Sequence, residues 1–409
     1  MNPFSRSAAR AFMHQGRIAG LSAAALLSLA LPISARLIPR GELVLPINPD
    51  NGLGLAPLAG QGVVVAWLEM GREVLLAQEL NADLSARRDF AVADTHEGPA
   101  ALLFCPQVAR IGQRRLAFAW SELNTASLRF RTAYRVMNEN GSPRSPIRYA
   151  QGDPPLLDEG CPRLSGGDNG FVIAWNLSLH PVGPPYRLRA RTFSVHGIPI
   201  SPPIDLATSV TITEPSWVVA GRDGGFAAAW SPRGHDDSRE IFLRRFGRTG
   251  TPLGRAVHIA PDRLELQGLV AGTAEGYELI WSLRQGLDSR SVLTRRFDRN
   301  LVAITPARTV FTSETYVEAT AVIDRKARTA FLASTGSSVQ GLELDPALDT
   351  RRCGAAIQVN DDLPQSTYPV VVSAPGEVVV AGQEVIVPGP YLLKLIVRRY
   401  ALGACGAAP

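Results

Sequence analysis

Apolar and small residues alternate in six-residue runs that close on tryptophan, and the run recurs along the chain. Gly62-Val63-Val64-Val65-Ala66-Trp67 returns as Arg115-Leu116-Ala117-Phe118-Ala119-Trp120 and as Gly170-Phe171-Val172-Ile173-Ala174-Trp175. It returns again as Gly225-Phe226-Ala227-Ala228-Ala229-Trp230 and Gly276-Tyr277-Glu278-Leu279-Ile280-Trp281. The tryptophans stand 53, 55, 55 and 51 residues apart. Two degenerate copies keep the period, Thr329-Ala330-Phe331-Leu332-Ala333-Ser334 and Glu377-Val378-Val379-Val380-Ala381-Gly382, which makes seven. Successive strand side chains point to opposite faces, so Phe226, Ala228 and Trp230 face one way and Ala227 and Ala229 the other.

A second motif follows each tryptophan. Arg191-Thr192-Phe193, Arg244-Arg245-Phe246, Arg295-Arg296-Phe297 and Arg398-Arg399-Tyr400 end β-prone runs, and turn-forming residues come next, as in Gly247–Pro252. Each unit therefore predicts about four short strands separated by turns, with no amphipathic helix of 10 or more residues beyond the N-terminal segment. A period near 50 with four strands per unit and seven units predicts an all-β, seven-bladed β-propeller over residues 36–409. The seventh copy stops after its third strand, Leu392–Tyr400, while Arg40–Asn48 carries an orphan strand, Leu43–Ile47. That N-terminal strand is expected to complete the last blade and close the ring.

The unit resembles the tandem propeller repeats of secreted bacterial proteins, in which a Gly-Gly-Phe-Val-Val-x-Trp strand precedes an x-x-Arg-Phe strand and a Gly-rich turn. Gly224–Trp230 followed by Leu243-Arg244-Arg245-Phe246 matches best. The resemblance implies the fold and an extracytoplasmic setting, and brings no catalytic residues with it.

Residues that recur at one repeat position are most simply read as packing. Large rings fill the space between sheets, and burying about 200 Å² of aromatic surface is worth roughly 5 kcal/mol gross. The arginines of the second motif read as stems laid along a sheet or paired with carboxylates. Cys105 and Cys161 each begin a Cys-Pro pair one repeat apart, and Cys353 and Cys405 each precede glycine one repeat apart. Of three possible pairings, Cys105–Cys161 and Cys353–Cys405 are therefore expected, in a compartment where disulfides persist.

That compartment is indicated by the N-terminus. Arg6, Arg10 and Arg17 precede the apolar run Ile18–Leu31 and Pro32-Ile33-Ser34-Ala35, the parts of a bacterial secretory signal peptide spanning residues 1–35. The run is shorter than the roughly 20 residues of a spanning helix. An uncleaved segment anchoring the protein is the alternative, and no transmembrane segment is expected in the mature chain. Composition adds little: 409 residues, 45% hydrophobic and 19% charged, describe a globular chain. Loss of the leader removes three arginines and no acid, taking the formal charge from +5 to +2. The remaining arginines are spread along the chain, so a nucleic-acid partner is not expected.

No Gly-x-Ser-x-Gly elbow, phosphate loop, His-Glu-x-x-His or Cys-x-x-Cys occurs. His96, His180, His196, His235 and His258 lack metal-ligand spacing, and no cofactor, metal or catalytic residue is assigned. One cluster stands out: His235-Asp236-Asp237-Ser238-Arg239 falls between the second and third strands of blade four, with Glu214 and Trp217 close to the start of that blade. Glu214, Trp217, His235, Asp236, Asp237 and Arg239 are candidate rim residues, against the plain alternative of a solvated turn. The leading expectation is an exported, periplasmic or secreted, non-enzymatic binding or scaffolding module taking a protein or glycan on one propeller face. The alternative is a glycan-acting hydrolase or lyase with acids at the channel mouth.

Overall fold

The computed structural model describes residues 37–45, 49–60, 62–69, 74–94, 101–125, 129–152, 161–178, 186–210, 216–232, 240–259, 264–271, 276–284, 290–313, 318–323, 329–334, 339–344, 357–358, 367–374, 377–387 and 392–402. These residues form 28 strands and no helix. No helix among them is long and apolar enough to cross a membrane. The expected signal segment lies outside the described residues.

Apart from β1 (Leu37–Leu45), the strands follow one another in fours, and each four pairs antiparallel in chain order. The first sheet is β2 (Pro49–Pro57), β3 (Val63–Glu69), β4 (Val74–Leu80) and β5 (Ala86–Asp94). The second is β6 (Ala101–Ile111), β7 (Arg115–Asn124), β8 (Arg129–Asn138) and β9 (Arg148–Tyr149). The third is β10 (Arg163–Gly167), β11 (Gly170–Ser178), β12 (Tyr186–Phe193) and β13 (Ile204–Val210). The fourth is β14 (Trp217–Ala220), β15 (Phe226–Trp230), β16 (Ile241–Phe246) and β17 (Pro252–Ile259). The fifth is β18 (Leu264–Ala271), β19 (Tyr277–Arg284), β20 (Arg290–Phe297) and β21 (Arg308–Ser313). The sixth is β22 (Glu318–Ile323), β23 (Thr329–Ser334), β24 (Val339–Leu344) and β25 (Ile357–Gln358). The seventh holds β26 (Thr367–Ala374), β27 (Glu377–Val387) and β28 (Leu392–Leu402), and its fourth strand is β1. Leu43 pairs with Val397 and Glu42 with Arg398, so the orphan N-terminal strand completes the last sheet as its sequence suggests. First strands touch in chain order, β2 to β6, β10, β14, β18, β22 and β26, and β26 touches β2.

Sequence alternation sets how the sheets stack. In β15, Phe226, Ala228 and Trp230 pack with Val172 and Ala174 of the third sheet. Ala227 and Ala229 pack with Leu266, Leu279 and Trp281 of the fifth. The small side chains let the next sheet approach, and the rings fill the gap behind. Trp120 and Trp175 are 0% and 1% exposed. Trp67 carries the pattern to the seventh sheet, packing with Val379 and Val397. The indole N–H groups of Trp67, Trp120 and Trp175 meet no acceptor among the described residues. These rings are therefore held by packing area rather than by polar anchoring.

The turns between third and fourth strands recur in conformation. Gly141, Gly197 and Gly250 take the left-handed backbone, φ 78°, 72° and 84°, where Leu84 and Leu301 stand in two other sheets at φ 66° and 65°. Glycine adopts this geometry freely. In Leu84 and Leu301, burial at 2% and 6% exposure offsets the strain. The arginines of the second motif lie over the ring two residues on, at 5.9 Å for Arg191 and Phe193 and 5.8 Å for Arg244 and Phe246. Arg191 donates from Nε to Ser201 O at 2.9 Å and from Nη1 to Ala150 O of the preceding sheet at 3.0 Å.

Other side chains grip the turn of the next sheet. Arg88 Nη1 donates to Asn140 O at 2.5 Å, Tyr134 Oη to Gly197 O at 3.0 Å, and Thr192 Oγ1 to Arg248 O at 2.6 Å. Arg245 donates to Arg299 O, and Arg399 of the seventh sheet to Ala82 O of the first.

Two outcomes follow from this packing. Trp120→Ala should lower the unfolding free energy by about 3–5 kcal/mol in denaturant titration, since it removes a fully buried ring between two sheets. Glu79, 2% exposed, has its carboxyl pushed up by burial against the opposing pull of Arg87 and Arg88. A raised folded-state value means that the neutral acid is the better-tolerated form, so folding loses stability as pH rises through that value. Glu79→Gln should therefore raise the thermal midpoint at neutral pH, and the gain should shrink on acidification. A gain independent of pH would contradict this account.

Candidate functional site at the open end of the sheets

Up-and-down pairing sends each sheet's first-to-second connection, and the third-to-fourth connection of the first six sheets, to one end, the closed end. Second-to-third connections and the links between sheets lie at the other, the open end. The connection after β15, residues 231–240, is ten residues long and the longest of the seven second-to-third connections. The first strands also lose regularity toward this end. Register shifts fall between Asp50 and Leu53 in β2, Phe104 and Gln107 in β6, Leu266 and Gly268 in β18, and Thr367 and Val370 in β26. Bulges of this kind re-aim side chains and end pairing.

In β6 the extra residues are Cys105 and Pro106. Cys105 takes a left-handed backbone, φ 53°, and is bonded to Cys161 at the approach to β10, with a Cα–Cα distance of 5.5 Å. The first expected disulfide is thus present, joining the second and third sheets where their first strands begin. The second, Cys353–Cys405, lies outside the described residues.

Next to it, Arg163 opens β10 and Trp217 opens β14. The Arg163 guanidinium lies over the indole, 4.7 Å from the ring centroid, and both side chains are half-buried. A cation over an aromatic face is held there by the negative face of the ring. In the second sheet Arg131 donates to Glu122 Oε1 at 2.6 Å and its guanidinium lies 4.0 Å from the Tyr149 ring centroid. Phe104 and Phe130 pack at 5.6 Å beside the disulfide-bearing bulge. The first strands of the second to fourth sheets thus carry Phe104, Arg163 and Trp217 toward the open end, while Glu122, Arg131 and Tyr149 lie on the second, third and fourth strands of the second sheet. The phenols pushed up by burial, Tyr134 and Tyr277, belong to the sheet interiors instead.

Of the candidate rim residues, Trp217 is placed at the open end beside Arg163. Glu214, His235, Asp236, Asp237 and Arg239 lie outside the described residues. The sequence reading missed Arg163 and the Glu122–Arg131–Tyr149 group. A usable signal was their offset from the repeat landmarks, since Glu122 stands two residues after Trp120 and Arg163 two after Cys161. Among the described residues no three or more His, Cys, Asp and Glu side chains gather to hold a metal ion.

No protein-family model matches the chain, and no curated protein sequence matches it. Solved structures do. The polysaccharide lyase Uly1 superposes with a TM-score of 0.53 at 10% identity, covering 87% of this chain and 90% of the lyase. A puromycin-hydrolyzing peptidase of Mycobacterium tuberculosis gives a TM-score of 0.53 at 11% identity, covering 91% of this chain and 58% of the peptidase. At such identities the likeness is one of fold, and the fold is a β-propeller.

These neighbours correct the expectation of a non-enzymatic binding or scaffolding module. That expectation rested on missing catalytic motifs, yet these two neighbours are a lyase and a peptidase. The physical reason is that a site built at the open end draws residues from sheets about 50 residues apart in sequence, so no short motif need mark it.

Replacing Cys105 and Cys161 together by serine should cost about 2–4 kcal/mol of unfolding free energy, given the 56-residue separation that the bond closes. Equal stability of the oxidised wild type and the double variant in denaturant would show that the bond contributes nothing.

Proposed function

We propose that this chain is an exported enzyme acting on a glycan, as a hydrolase or lyase, with its site at the open mouth of a seven-bladed β-propeller. The seven sheets are read as the blades of one closed ring, sealed by β1 in the last blade, over residues 36–409 behind a signal peptide of residues 1–35. The repeat is read as that of the tandem propellers of secreted bacterial proteins. The observation that carries the functional reading is the open end of the first strands, bulged in four sheets and lined by Trp217 and Arg163. Its overlap with 90% of a polysaccharide lyase supports the same choice. The peptidase likeness is not followed, because the chain spans 58% of that protein and carries no Gly-x-Ser-x-Gly elbow.

In this reading the stacked Arg163–Trp217 pair forms part of the wall that a sugar ring meets. Glu122 is tied to Arg131 and shapes the wall. The acid–base work falls to Glu214, His235, Asp236 and Asp237, with Arg239 balancing negative charge. Hydrolysis needs one carboxyl to protonate the glycosidic oxygen and another to activate water or attack the sugar. Elimination needs a base that removes the proton next to a uronate carboxyl while the leaving oxygen gains one. The two routes differ in product: elimination leaves an unsaturated uronate, and hydrolysis leaves a saturated sugar.

The test is incubation of the purified protein with a panel of neutral and acidic polysaccharides. New reducing ends are expected from at least one of them, and ultraviolet absorbance of the product separates elimination from hydrolysis. Glu214→Gln and Asp236→Asn should lower kcat by about 10²–10⁴ if they act in acid–base roles, with the thermal midpoint kept. A folded wild type that releases no reducing ends from any glycan would refute the proposal.

A further inference from the structure

The fourth sheet differs from its neighbours at the open end. Each of its strands carries a ring there: Trp217 in β14, Trp230 in β15, Phe242 in β16 and His258 in β17. The last three are register partners. Trp230 and Phe242 stack at 5.8 Å and 17°, and Phe242 and His258 at 4.9 Å and 18°. Other sheets fill the same register with Trp67–Leu76–Ala91, Trp120–Ala133–Tyr149, Trp175–Arg189–Asp205 and Trp281–Leu293–Thr309. Small, aliphatic or charged residues, with one outer ring at Tyr149, thus satisfy the packing there, and no other of these registers stacks three rings.

The stack ends in solvent. His258 is 43% exposed on its side chain, with one face against Phe242, and its Nε2 meets Glu240 Oε1 at 3.2 Å. Glu240 is 51% exposed. A sugar ring is apolar on its C–H face and polar at its edge. Such a ring fits an aromatic face with a hydrogen-bond acceptor beside it. The carboxylate of Glu240 would repel a uronate, so the complementary unit is uncharged.

We infer that the outer open end of the fourth sheet is a secondary subsite for a neutral sugar unit. His258, backed by Phe242 and Trp230, takes the ring face, and Glu240 accepts its hydroxyls. The inference rests on the glycan reading and narrows it to a polymer. From β14 at the mouth to β17 is three strand spacings, about 14 Å, so a chain held at both places spans several sugar units. Because the stack is already packed in the free protein, binding orders few additional side chains.

Affinity electrophoresis of the whole protein through gels holding arabinan, xylan, glucuronoxylan or polygalacturonate tests this. Retention by at least one polymer with neutral units is expected. His258→Ala and Glu240→Gln should each weaken that retention about tenfold, while His258→Phe, which keeps a ring, should preserve it. Thermal unfolding of each variant checks that the fold is kept. Unchanged retention in folded His258→Ala and Glu240→Gln would overturn the subsite even if the protein cleaves the polymer. Retention by polygalacturonate alone, or by none of the four, would overturn it as well. Reducing-end release from the same panel reports on the catalytic reading separately, so either can fail without the other.

Discussion

Everything in this molecule depends on how one sheet is fastened to the next at the closed end. A four-stranded sheet cannot bury both faces by itself, and apolar stacking alone leaves neighbouring sheets free to slide. Directional bonds remove that freedom. Side chains of one sheet donate to turn carbonyls of the next, as Arg88 does to Asn140, Tyr134 to Gly197 and Thr192 to Arg248. The same device spans the chain ends, where Arg399 reaches Ala82. Hydrogen bonds that carry a charged donor are the stronger kind. Each is directed at a rigid turn whose backbone is fixed by its own internal bonds, as where Gly197 N donates to Ser194 O at 2.9 Å. The left-handed residues of these turns are thus structural requirements of the fastening.

Between the fastenings, the sheets meet through a simple division of labour. In the five tryptophan-bearing second strands, the face with the tryptophan looks back to the preceding sheet. Trp120 packs with Ala66 and Leu68, and Trp175 with Ala117 and Ala119. Departures from this rule are compensated locally. Glu278 stands in β19 where other second strands carry Val64, Ala117, Val172 or Ala227, and it is 0% exposed. Its carboxylate accepts from Thr294 Oγ1 at 2.7 Å and Arg296 Nε at 3.3 Å. A buried charge survives only with such partners; these two come from the adjoining third strand, and Arg308 Nη2 of the fourth lies 4.0 Å from Glu278 Oε1.

Much of this was legible in the sequence because it is periodic. The tryptophan period marked the second strands, the Arg-x-aromatic period marked the third, and Leu43–Ile47 pointed to the strand that completes the last sheet. Cys105 and Cys161 were legible for the same reason, as one motif met twice. The fastenings were not, since they use different residue types at different junctions: an arginine from a fourth strand, a tyrosine or a threonine from a third. Bulges were not legible either. The Cys105-Pro106 insertion shows only as a break in register against β7, and register is a property of two strands rather than one.

The same contrast explains why function was the hardest thing to read. Residues of the closed end must satisfy one geometry repeated from sheet to sheet, so selection for folding writes them as a pattern. The open end carries no such shared requirement. Its second-to-third connections range from four residues, as at 125–128, to ten at 231–240, and its inner strands bulge in different ways. Rings at Trp217 and His258 and the guanidinium of Arg163 each break the repeat at a single position. In a repetitive fold, chemistry is to be sought where periodicity fails at the end that packing leaves unconstrained. By that criterion the fourth sheet, with its long connection and its stack of rings, is where this chain departs furthest from what its architecture needs.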